Sequence, residues 1–112
     1  MGYTASFVRA SFWVDRSGLE RVVEAGDHES AAHYCENVAF YCGLDLELDD
    51  DDNISSVGYE FDKLTHALDE YLDELAPVVR KGSFLELAGE GELLRFDFDG
   101  TRCIRTITPM RR

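Results

Sequence analysis

Hydrophobic and polar positions alternate with a period of two at the start of the chain. Val8, Ala10, Phe12 and Val14 fall on one side of an extended segment, and Tyr3, Ala5, Phe7 and Trp13 on the other. The pattern predicts a strand from Tyr3 to Val14 that is apolar on both faces, hence central or covered. Asp15-Arg16-Ser17-Gly18 breaks it. The period then changes. Leu19, Val22 and Val23 form one side of a short helical segment reaching Ala25, and Gly26 is suited to end it. Asp27 or Ser30 can cap a second helix that runs to about Cys42. Its inward face is Ala31, Cys35, Val38, Ala39 and Cys42, and Gly43 closes it.

Alternation returns with Leu44, Leu46 and Leu48, which leaves Asp45 and Glu47 on the outer face of a half-buried strand. Asp49 to Asn53 is a turn. Ile54 to Phe61 reads two ways: as a strand pairing back on Leu44–Leu48, or as the start of a helix near Gly58 capped by Ser55 or Ser56. From Asp62 to Leu75 the spacing is helical. Leu64, Leu68, Tyr71, Leu72 and Leu75 line one side, with Asp62, His66, Asp69, Glu70, Asp73 and Glu74 on the other, and Pro77 stops the helix. Three strands follow, Ser83–Ala88, Leu93–Asp99 and Arg102–Thr108, joined by Gly89-Glu90-Gly91 and by an Asp99-Gly100 turn. Residues 1–112 thus read as one acidic α+β domain. Its single antiparallel sheet combines the long N-terminal strand and the C-terminal meander, with a possible central hairpin and two to three helices on one face.

Charge sharpens this picture. The formal net charge is -12, and residues 44–76 alone hold 12 of the 23 acids and one base, Lys63. Phosphate binding needs a basic face, so direct contact with nucleic acid is not expected. An acidic region of this density instead steers a basic partner. The helical acids stand at i and i+4, Asp69 with Asp73 and Glu70 with Glu74, a spacing that costs an isolated helix roughly 0.2–0.5 kcal/mol per pair. That cost is either tolerated on a solvated face or retained because the charge is used. The partner-binding set is Asp45, Glu47, Asp49, Asp50, Asp51, Asp52, Asp62, Asp69, Glu70, Asp73 and Glu74, with Tyr59 or Tyr71 as aromatic anchor.

Other chemistry is weaker. A calcium loop beginning at Asp49 would use Asp49, Asp51, Asn53 and Glu60, but Ile54 stands where the sharp turn needs Gly. His66 has carboxylates at helical spacing without an accompanying nucleophile or oxyanion motif, so acid–base catalysis there ranks third. His28, His33, Cys35 and Cys42 do not have zinc spacing, and Cys35, Cys42 and Cys103 read as reduced core thiols of a cytoplasmic protein. No cofactor is expected. No apolar run is long enough for a membrane span, and no signal peptide is apparent. Arg102, Arg105, Arg111 and Arg112 read as exposed strand positions and a frayed tail. They could also complement the acidic region within a monomer or across a homodimer.

Ala76-Pro77, Gly82-Ser83, Gly89-Glu90 and Phe98-Asp99-Gly100 punctuate residues 75–101 in a way that resembles small acidic uncharacterised proteins of actinobacteria and their phages. The resemblance implies a similar meander and no activity. The expectation is a non-enzymatic inhibitor whose carboxylates dock on a basic protein. It would act as a nucleic-acid-mimicking anti-defence protein or as an immunity protein against a basic nuclease. A divalent-cation module is the alternative.

Overall fold

The structure is a computed structural model that describes residues 3–4, 6–25, 28–59, 63–64, 66–89 and 91–109, with the backbone alone at 3, 4, 56, 63, 64, 66 and 67. In chain order the elements are β1 (Tyr3–Thr4), β2 (Ser6–Ser11), α1 (Arg16–Ala25), α2 (Ala31–Cys42), β3 (Leu44–Leu48), β4 (Ile54–Tyr59), β5 (Lys63–Leu64), α3 (His66–Leu75), a 3-10 turn at Ala76–Val78, β6 (Phe84–Ala88), β7 (Glu92–Phe98) and β8 (Cys103–Pro109). The fold is α+β. Its main sheet is antiparallel in the order β2-β6-β7-β8, as the N-terminal strand and the meander predict.

The central hairpin exists as its own pair, β3 with β4, so Ile54–Tyr59 takes the strand reading. Leu44 pairs with Tyr59 and Leu46 with Val57, which puts the alternating leucines on the core side. Val14 joins the hairpin to the rest of the chain by bridging both Ile54 and Val79. Its backbone exchanges hydrogen bonds of 3.0 and 3.1 Å with Ile54. On the main sheet, Leu85, Leu87, Leu94, Phe96 and Phe98 are buried, and Phe98 packs edge-on to Phe12 with centroids 5.4 Å apart. Leu68, Leu72 and Leu75 of α3 and Tyr34, Cys35, Val38 and Cys42 of α2 complete the same core. Ser30 caps α2 by accepting from the His33 N–H, and Gly43, at φ 81°, ends it in the left-handed region that glycine adopts without strain.

Four sequence expectations need correction. The N-terminal alternation does not run unbroken to Val14. Phe7 pairs with Leu87 and Arg9 with Glu86, so Val8 is an extra residue in a bulge and is 45% exposed rather than core. Arg16–Gly18 does break the strand, but it forms the first turn of α1. Gly18 allows that close approach, since a Cβ there would lie 2.7 Å from Val78 Cβ. The helix expected from Asp62 begins at His66, because Lys63–Leu64 pairs instead with Tyr3–Thr4. The last turn is shifted by one residue: Asp99 N–H donates to Arg102 C=O at 3.1 Å, so Gly100 and Thr101 are its central residues. Gly100, at φ 95°, takes the position that needs positive φ.

The sheet face opposite the core carries a chain of charges. Arg9 and Arg95 both pair with Glu86, and Arg95 also holds Asp97 at 2.9 Å. Their guanidinium carbons lie 5.4 and 4.3 Å from the centroid of the Phe84 ring. Glu86 is thereby covered, with its side chain 5% exposed. Donation from Arg9, ahead of that from Arg95, holds its carboxyl below the ordinary carboxylate range.

Candidate functional site

Among the described residues, four arginines pair with acids outside residues 44–76. Arg9 and Arg95 serve Glu86 and Asp97, Arg16 serves Glu20, and Arg80 pairs with Asp15 while lying 4.8 Å from the Trp13 ring centroid. Of the predicted partner-binding acids, Asp69 alone has an ion-pair partner among the described residues, Arg105 on β8 at 2.8 Å. Part of the C-terminal arginine cluster therefore does complement the acidic helix within the monomer. Arg111 and Arg112 lie outside the described residues, as do Asp62, Glu60 and Asp27. Asp45, Glu47, Asp49 to Asp52, Glu70, Asp73 and Glu74 have no cationic side chain within ion-pair distance among the described residues.

These acids form separate groups, because α2 stands between the hairpin and α3. Its Ala32, Cys35, Glu36 and Ala39 adjoin Asp45, Leu46 and Leu48. It also packs against α3, where its Tyr34 lines a cleft together with Tyr71. The turn Asp49–Asn53 is held elsewhere. Asp49 Oδ1 accepts from the N–H of Asp51 at 2.9 Å and of Asn53 at 3.0 Å, and Asn53 Oδ1 accepts from the Arg16 N–H. Those backbone donors, Asn53 first, lower the Asp49 pKa. Two oxygens of the expected calcium set are thus occupied by backbone N–H groups. Among the described residues no three metal-ligating side chains cluster.

The fold adds residues that the sequence reading did not select. Asp52 shares a cleft with Glu20, Glu24 and Glu29, so the acidic turn is extended by α1 and by the segment leading into α2. Phe40 and Tyr41 stand next to each other on the outer side of α2, 73% and 59% exposed, with ring centroids 5.0 Å apart. They fall outside the inward stripe of that helix, which was the available signal. Tyr71 is only half-buried and lines one cleft with Glu70 and Glu74, whereas Tyr59 packs at the edge of the core. Exposed aromatic side chains are enriched among the residues that carry binding energy at protein interfaces.

A cleft of about 600 Å³ is lined by Arg21, Val22, Ala25, His28, Tyr34, Glu70, Tyr71, Glu74 and Val78. The side chain of His28 is fixed by Asn37, whose amide N–H donates to Nδ1 at 2.9 Å. Its ring meets Tyr34 edge-on at 5.0 Å.

The thiols are poor nucleophiles. Burial pushes Cys35 and Cys42 up to about 11 and the half-buried Cys103 up to about 12. Nothing is placed around His66, whose side chain lies outside the described set. No helix is long and apolar enough to cross a membrane among the described residues. Comparison with known proteins yields no matching family model, no matching curated protein and no matching solved structure.

Proposed function

We propose that this chain is a non-enzymatic acidic binding protein that docks carboxylates and exposed aromatics on a basic groove of another protein. The single observation that carries the reading is that, among the described residues, Asp45, Glu47, Asp49–Asp52, Glu70, Asp73 and Glu74 have no ion pair, while Arg9, Arg16, Arg80, Arg95 and Arg105 pair with other acids. Unpaired surface acids of one sign repel each other and modestly oppose compaction, so they are a cost to the isolated fold. A partner that supplies Lys and Arg removes that cost and is steered to the site by the same field. The chemistry of such a partner is a groove built to hold phosphates. It would belong to a nucleic-acid-binding protein antagonised by a mimic, or to a basic nuclease held by its immunity protein. Both settings fit a cytoplasmic protein with free thiols.

The test uses two charge-neutralised variants. One carries Asn at Asp49, Asp50, Asp51 and Asp52; the other carries Glu70→Gln, Asp73→Asn and Glu74→Gln. Capture of basic proteins from a host lysate is expected to yield a discrete partner with the native chain that is lost with one or both variants. Equal recovery with all three chains would sink the proposal.

A further inference from the structure

Tyr34 poses a problem that the docking surface does not explain. Its side chain is 3% exposed, yet its hydroxyl has no hydrogen-bond partner among the described residues, although buried phenols ordinarily find one. The residue lines the 600 Å³ cleft between α1 and α3. Glu70, Tyr71 and Glu74 of α3 line the same cleft. Two phenols and two carboxylates therefore converge on one opening. All four can accept a hydrogen bond, and neither carboxylate has an ion-pair partner among the described residues. Val22, Ala25 and Val78 supply an apolar wall suited to a methylene stem. Arg21 faces the acids from α1 without an ion pair of its own among the described residues, and it is exposed.

We infer that this cleft is a receptor for one arginine side chain of the basic partner, with the guanidinium held by Glu70, Glu74 and the Tyr71 and Tyr34 hydroxyls. A guanidinium is preferred over a compact ammonium because its planar fork presents five donors to several acceptors at once and stacks on aromatic faces. The stem of the incoming residue lies along Val22 and Val78, and Arg21 at the rim is placed to donate to a backbone carbonyl of the incoming segment. The inference rests on the docking reading and names the side chain that the partner must present.

It can be tested without the partner, by titrating the full chain with N-acetyl-arginine amide and following the tyrosine ring signals by NMR. Saturable shifts of Tyr34 and Tyr71 are expected. The neutral isostere N-acetyl-citrulline amide should bind at least about tenfold more weakly, since charge-assisted bonds are roughly twice as strong as neutral ones. Tyr34→Phe should weaken the arginine probe by about fivefold, the usual effect of one lost hydrogen bond. Glu74→Gln, on the exposed rim where folding is not at stake, should weaken it by a similar factor. The absence of saturable shifts up to about 0.1 M probe, a weakness beyond millimolar affinity, would overturn the inference. So would equal binding of the citrulline analogue, or unaltered binding to a folded Tyr34→Phe chain. If the probe binds as expected while the neutralised variants still capture the same proteins, the cleft stands and the docking reading falls. If capture is lost as expected but the probe does not bind, the cleft alone falls.

Discussion

Replacing Glu86 by alanine is expected to destabilise the protein by about 2 kcal/mol in chemical denaturation, the range for losing hydrogen bonds between a covered charge and its partners. The carboxylate is what separates the guanidiniums of Arg9 and Arg95, both of which lie over Phe84. Without it two like charges remain near one ring with no shared counter-ion, and three strands lose the link that runs across β2, β6 and β7. The effect carries a pH signature. Because the folded-state pKa of Glu86 is lowered, its contribution is present in full above the ordinary carboxylate pKa of about 4.3 and is lost as pH falls through the lowered value. The stability gap between the native chain and Glu86→Gln should therefore be constant near neutrality and close in acid. A gap that widened on acidification would contradict the ion-pair assignment. Neutralising Asp50, Asp51 and Asp52 to Asn should do the opposite and leave the melting temperature unchanged or raise it, most visibly at low salt. Asp52 sits at φ 61°, a conformation that Asn tolerates well.

The second large effect concerns binding alone. Phe40 and Tyr41 are expected to be the aromatic anchors of the complex, so Phe40→Ala with Tyr41→Ala should cost 2 kcal/mol or more of partner affinity, roughly thirtyfold. Stability should barely move, since both rings are exposed and neither belongs to the core. Calorimetric titration against the captured partner, with a denaturation curve beside it, separates the two. Affinity within twofold of native would remove the pair from the interface.

Much of the fold is legible in the chain because local rules suffice for it. Leu44, Leu46 and Leu48 alternate and have one sensible orientation. Gly43 and Ser30 mark the ends of α2, and Leu94, Phe96 and Phe98 define the inner face of β7. What escaped was decided at long range. Leu64 lies on helical spacing with Leu68 and Leu72, but its backbone pairs with Tyr3, more than half the chain away. Val8 obeys perfect alternation until one inserted residue flips the parity of β2, and no residue type announces the bulge. The site is less legible still. Composition marks the acids, but α2 divides them, Arg105 reclaims Asp69, and α1 extends the acidic turn with Glu20 and Glu24. Tyr34 is one more residue of a helix in the sequence, and its burial without a hydrogen-bond partner among the described residues sets it apart.

The claim that unpaired carboxylates recruit a basic partner is tested most directly by the association rate constant of the captured complex as a function of ionic strength. Native chain should associate at least about tenfold more slowly at 0.5 M salt than at 0.05 M, because screening shortens the reach of the field. The Glu70→Gln, Asp73→Asn, Glu74→Gln variant should associate more slowly at low salt and depend less on it. A variant that associates as fast as the native chain, with the same salt dependence, would contradict electrostatic docking through this helix.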